Sequence, residues 1–295
     1  MTKPLKTAAL LVGMGLLLAG CAPLGMRAED TRVHDTRTDF VPANAEFAAL
    51  ANSTTATDRW SGVLGGAGYR IEVPTTGWNG KLVMYAHGYA GTGKSLVVQD
   101  PPIRRYLIDN GYAWAASSYS KNYYDVRAGV EDTNALALAF NSIAALNGRP
   151  LPPPSKTYIF GRSMGGHIAA AAVEAETLAT ANNKMRYDGA VPTCGVLDDE
   201  QLWAYFGAYQ LAAQQLAGLP AASLPVSNWQ QISNHVRTTL FNSTTSFAAP
   251  TTQGLLLKSI VKNLTGGERP MFEQGFANDS LQNVVWGTFG DDGTV

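Results

Sequence analysis

An α/β fold is what the sequence predicts: a mostly parallel sheet flanked by helices, with a helical insertion near the end. Three observations carry it. Short apolar runs such as "KLVMYAH" (81–87) read as strands buried on both faces. These runs alternate with segments of helical apolar spacing, the pattern of a parallel sheet covered on both sides. From Leu197 the texture turns helical and aromatic ("DDEQLWAYFGAYQLAAQQLAG"), with no plain buried strand until "NVVWGTF" near the end.

Taken in order, residues 1–20 read as a signal peptide. Lys3 and Lys6 precede the apolar run "AALLVGMGLLLAG", which is too short for a comfortable membrane span. Cys21 follows at once, and "LAGC" resembles the bacterial lipobox, whose Cys is lipidated and anchors the protein to a membrane; Ala22 fits outer-membrane sorting by that resemblance. The alternative is an ordinary secretory signal with Cys21 incidental. Both readings export the mature chain, to the cell envelope or beyond it. Residues 21–60, polar and Ala/Thr-rich, read as a tether and lead-in.

The core is expected over 61–196. "GYRIEVP" alternates as a strand and ends at the turn "TTGWNG". "IRRYLIDNGY" reads as a helix closed by Asn110-Gly111, and "AWAASSY" as the next strand. Residues 129–146 carry helical apolar spacing, with Glu131 and Asp132 near the positive end of the dipole. "TYIFG" is a short buried strand, "MGGHIAAAAVEAETLA" a helix leaving directly from it, and "YDGAVPTCG" the following strand. Residues 197–282 then read as a helical lid, and 283–295 as a return strand to a core whose last part is absent.

Composition bounds the function. A chain of 295 residues, 45% hydrophobic and with six Trp, can bury a sizeable core. Its formal net charge of −1 argues against nucleic acid as a partner. Metal-ligating residues do not cluster, so no metal or cofactor is expected; the oligomeric state is left open.

Two glycine-rich strand ends carry the chemistry. In "YAHGYAGTGKSLVV", Gly88, Gly93, Lys94 and Ser95 match the phosphate-loop string G-x-x-x-x-G-K-[ST]. A nucleotide-binding loop should open a sustained helix at Lys94-Ser95, but Pro101 and Pro102 follow within two turns. It also needs a second strand ending in a Mg²⁺-binding Asp, for which "FGDD" is a remote candidate. Gly161-Arg162-Ser163-Met164-Gly165 is G-x-S-x-G between a strand and a helix. A serine hydroxyl is a weak nucleophile unless a sharp turn lifts it into reach of a base. The helix that follows offers backbone N–H groups to a developing oxyanion.

"YAHGYAG" and "FGRSMGGH" together resemble the oxyanion loop and nucleophile elbow of the α/β-hydrolase family over about residues 68–195. "AWAASSYS" and "GVEDT" further resemble secreted bacterial members acting on esters or peptides. The resemblance implies Ser163 as nucleophile, with the oxyanion bound by the backbone N–H groups of Met164 and of a residue close to Tyr89. It implies an acid and then a His after the nucleophile. Asp291 and Asp292, after "NVVWGTFG", are the candidate acid, while Asp198 and Asp199 read as a helix start. His34 and His87 precede the serine; His167 lies on the elbow helix, where packing is its expected role, and His235 on the surface of the lid. The chain is therefore expected to be truncated, or degenerate without a full triad, with weak or no turnover. Cys194 then fits either a disulfide to an absent part or a buried thiol.

The expected function is an exported serine hydrolase that cleaves an ester or a peptide bond through a Ser163 acyl-enzyme. A surface lipoprotein using "LWAYFGAY" (202–209) to bind an apolar ligand or partner is the alternative, and a phosphate-loop nucleotide hydrolase the remote one.

Overall fold

The central apolar runs of the core become strands whose alternate side chains enter different cores. The computed structural model describes residues 39–220, 228–243 and 246–278. Among these the strands are β1 (Val41–Pro42), β2 (Thr57–Leu64), β3 (Ala67–Pro74), β4 (Lys81–Ala86), β5 (Ser95–Leu96), β6 (Ala113–Ser117), β7 (Lys156–Arg162) and β8 (Gly189–Thr193). Six of them form one sheet in the order β2-β3-β6-β4-β7-β8, and β1 pairs with β5 separately. Strands β6, β4, β7 and β8 run parallel, β3 is antiparallel to β6, and β2 is antiparallel to β3.

On β4, Leu82, Met84 and Ala86 enter one core and Val83 and Tyr85 the other. Strand β6 divides likewise, Ala113 and Ala115 facing away from Trp114 and Ala116. This is the period-two geometry of strands buried on both faces. Helix α1 (Arg104–Asp109) closes the second core with Leu107 and Ile108. The first is closed by α2 (Val126–Leu146), whose Val130, Leu136, Phe140 and Ile143 recur at helical spacing, and by α3 (Met164–Ala171). The two helices approach at Gly129, where a Cβ would stand 2.3 Å from Ile168 Cδ1. The fold class expected from the sequence is the one observed.

Three features differ from the expectation. The run after the elbow forms two helices, α3 and α4 (Ala175–Thr180), because Glu174 is extended (φ −70°, ψ 146°). Strand β2 starts within the stretch read as lead-in and joins β3 through the two-residue loop Gly65-Gly66, whose φ values of 59° and 89° suit a tight hairpin. The preceding residues are bound to the sheet: Arg70 Nε donates to Ala45 O (2.7 Å), Arg104 Nη2 to Ala48 O (2.8 Å) and Arg105 Nη2 to Ala51 O (2.6 Å). Phe47 lies 5.1 and 5.0 Å from the Arg70 and Arg104 guanidinium groups. Beneath them the buried carboxylate of Glu72 accepts from Arg104 Nε (2.7 Å), Trp114 Nε1 (2.8 Å) and Thr57 Oγ1 (2.8 Å).

After β8 the chain forms α5 (Asp199–Leu216), α6 (Trp229–Leu240), α7 (Thr252–Leu264) and α8 (Phe272–Phe276). They share a core of their own, centred on Tyr209, Leu240, Phe241, Leu257 and Phe276, which has no residue in common with either sheet core. The signal segment, Cys21 and His34 lie outside the described residues, as do the return strand at 283–295 and Asp291 and Asp292. Among the described residues no helix is long and apolar enough to cross a membrane.

Candidate active site

Ser163 stands on the turn between β7 and α3 with φ 59° and ψ −125°, a backbone conformation that L residues rarely adopt. The glycines around it are required by contact. A Cβ on Gly161 would lie 1.8 Å from Gly165 O, one on Gly165 1.9 Å from Ala86 O, and one on Gly166 2.7 Å from Thr193 O. The elbow is thus pressed between the ends of β4 and β8. Its backbone is held there by a bond from Ser163 N–H to Thr193 O (2.9 Å). The Ser163 side chain is exposed, and its Oγ has no hydrogen-bond partner among the described residues. Met164, at the first helical position, has a backbone N–H without an acceptor inside the helix.

Gly88 at the end of β4 lies against this serine. A Cβ built on it would stand 3.2 Å from Arg162 O, 3.3 Å from Ser163 Cβ and 3.8 Å from Ser163 Oγ. Only a residue without a side chain leaves that approach open. Tyr89 follows directly, 37% exposed.

His87 fixes the loop from below. Its Nδ1 is 2.6 Å from Gly88 O and its Nε2 3.2 Å from Ser118 O. Both partners are carbonyl oxygens, which only accept, so a neutral imidazole can donate to one of them and the protonated ring to both. The ring stacks on Tyr119 (4.1 Å, 19°), whose hydroxyl donates to His87 O (2.9 Å). Tyr119 itself adopts φ 60°. Burial pushes the His87 pKa below the ordinary imidazole value, against the two carbonyl contacts that favour the protonated ring. The sequence places His87 at the end of the strand that leads into the His-Gly loop but does not show this clasp, because Tyr119 is brought to it across the sheet from the end of β6.

The other histidines are elsewhere. His167, one turn along α3, bonds its N–H to Ser163 O (3.2 Å), and its Nδ1 lies 3.2 Å from Tyr124 Oη. His235 Nε2 meets Ala217 O (3.1 Å), tying α6 to the end of α5. Asp198 caps α5, accepting from Gln201 N–H (3.3 Å), the helix start expected of it. Cys194 is free and exposed with φ 49°, so the buried-thiol reading does not hold. No side chain among the described residues hydrogen-bonds Ser163 Oγ as a general base.

The phosphate-loop reading is overturned. Lys94 pairs with Asp39, and Ser95 opens β5, pairing with Val41, instead of a helix. The first helix after it begins only at Arg104 and is six residues long. No helix N-terminus therefore faces the Gly88–Ser95 segment from its own chain end, as phosphate binding of that kind requires.

An elbow serine on the strand beside the one that carries the His-Gly loop, in a mostly parallel sheet with helices on both faces, is the arrangement that the α/β-hydrolase resemblance of the motifs implies. No protein-family model matches the sequence, and none of the curated proteins matches it. Solved structures similar to part of it include an arylesterase (20% identity, 61% of this chain and 56% of that one, TM-score 0.36). Others are esterase B from Lactobacillus rhamnosis (19% identity, 57% and 55%, TM-score 0.35) and brefeldin A esterase, a bacterial homologue of human hormone sensitive lipase (20% identity, 46% and 38%, TM-score 0.30). The chain spans between 38% and 56% of the length of these three proteins.

Proposed function

We propose that the chain is a serine hydrolase that cleaves carboxylic esters through Ser163. One observation carries the reading: the exposed Oγ of a serine in a strained elbow lies beside a glycine, Gly88, whose missing side chain leaves room for a substrate carbonyl. In the proposed step Ser163 Oγ bonds to the carbonyl carbon and loses its proton, and the backbone N–H groups of Met164 and Tyr89 stabilise the oxyanion. The C–O bond then breaks, the alcohol leaves with a proton, and water releases the acid from the acyl-serine. The acid and His implied by the family are not assigned to any described residue. The proposal extends to an exported protein acylated on Cys21, on the strength of the leader sequence alone.

A fluorophosphonate probe tests this, since it reacts with an activated serine without needing turnover. Labelling of the wild-type chain that is absent in Ser163→Ala supports the reading; equal labelling of both proteins removes it.

A further inference from the structure

The surroundings of Ser163 hold more aromatic surface than an ester carbonyl needs. His167, in the first turn of α3, donates its backbone N–H to Ser163 O (3.2 Å) and so stands next to the elbow. Its ring lies 6.0 Å from that of Tyr124, which follows the loop after β6. Trp203, on the first lid helix α5, meets Tyr124 at 5.6 Å with planes at 86° and Phe206 at 5.7 Å with planes at 76°. Neither neighbour stacks flat on the indole, and 40% of Trp203 stays exposed.

Trp203 belongs to none of the apolar cores, whereas Tyr205, Phe206 and Tyr209 of the same helix pack into the lid core and Tyr124 borders the sheet core. Trp203 meets Tyr124 and Phe206 only edge-on and keeps much of its surface outside those cores. A large, 40%-exposed indole, linked through Tyr124 to His167 of the helix that follows Ser163, is a surface on which a flat ring can stack.

We infer that Trp203, with Tyr124 and His167 behind it, is a specificity-determining wall that selects ester substrates carrying an aromatic ring. This rests on the proposed ester hydrolysis for its meaning, but its test does not need the nucleophile. Plain hydrophobicity favours a flexible alkyl chain over a phenyl ring of equal carbon number, so a preference for the ring requires stacking geometry rather than apolar area alone.

The experiment titrates the full chain carrying Ser163→Ala with benzyl acetate and with heptyl acetate by ligand-observed NMR. Benzyl acetate is expected to bind about fivefold tighter, the size of one aromatic contact. Adding Trp203→Leu, which stays apolar and loses the ring, abolishes that preference, while Trp203→Phe retains it; Tyr124→Leu supplies a second variant with the same expected loss. Heptyl acetate binding as tightly as benzyl acetate, or a preference that survives both Leu substitutions, overturns the inference. Failure here with successful fluorophosphonate labelling leaves the hydrolase reading standing. A ring preference without labelling does the reverse.

Discussion

Gly88 and Ser163 touch across the ends of two adjacent parallel strands, with the position a Gly88 Cβ would take 3.3 Å from Ser163 Cβ. The contact joins the two glycine-rich motifs into one site. It makes Gly88→Ala a graded test: the new methyl would also meet Arg162 O at 3.2 Å, so the elbow must give by a few tenths of an ångström. We expect the rate of Ser163 labelling by a fluorophosphonate to fall about tenfold or more, as for partial loss of an oxyanion site. The thermal midpoint should fall by only a few degrees. An unchanged rate would place the reacting carbonyl away from Gly88.

Gly165 and Gly93 should behave in opposite ways. A Cβ at Gly165 would overlap Ala86 backbone, 1.9 Å from its oxygen, and neither strand can retreat without breaking the sheet. Gly165→Ala should lose about 4 kcal/mol or fail to fold, by urea denaturation. Gly93, the phosphate-loop glycine, has nothing within 4 Å of its Cβ position and no left-handed φ. Gly93→Ala should stay within about 0.5 kcal/mol of wild type.

His87 predicts an acid-side loss of stability. Its folded pKa lies below the ordinary 6.5, so below that pH the unfolded chain binds a proton that the folded chain resists. Stability therefore falls as the pH drops from about 6.5 towards the folded value, by at most about 1.4 kcal/mol per pH unit from this group. Asp132 works in the opposite direction, since burial raises its carboxyl pKa. Comparison with His87→Asn isolates the histidine: the variant keeps a donor towards Gly88 O and should show a shallower slope below pH 6.5. Identical slopes in urea titrations of the two proteins would contradict this assignment.

Glu72 holds the lead-in through Arg104. Glu72→Ala leaves a half-buried guanidinium with Asp100 as its remaining carboxylate partner (2.8 Å) and strips Trp114 Nε1 of its acceptor. A loss of about 3 kcal/mol is expected, together with faster proteolysis between residues 44 and 56. Unchanged cleavage there would show that the arginine contacts do not retain the segment.

Much of this architecture was legible because the core strands are apolar on both faces and the helices carry a clear stripe. The serine elbow was legible because G-x-S-x-G fell between such a strand and such a helix. Strand β2 was not: only Trp60 of its eight residues is buried, so no alternation shows, and the Gly65-Gly66 hairpin loop was its one local signal. The His87–Tyr119 clasp and the Glu72–Arg104 pair each join residues 32 apart in sequence. Pairings of that kind depend on strand order, which no local pattern contains. Lys94 and Ser95 show the converse, a string that fits a phosphate loop in a backbone that does not.

The central claim, that Ser163 is the nucleophile, is tested most directly by trapping its acyl intermediate. The chain is mixed with a p-nitrophenyl ester, quenched in acid and mapped by mass spectrometry. The account predicts an acyl group on Ser163, and no adduct or nitrophenol release above background in Ser163→Ala. An acyl group on another residue, or ester cleavage undiminished in Ser163→Ala, would contradict it.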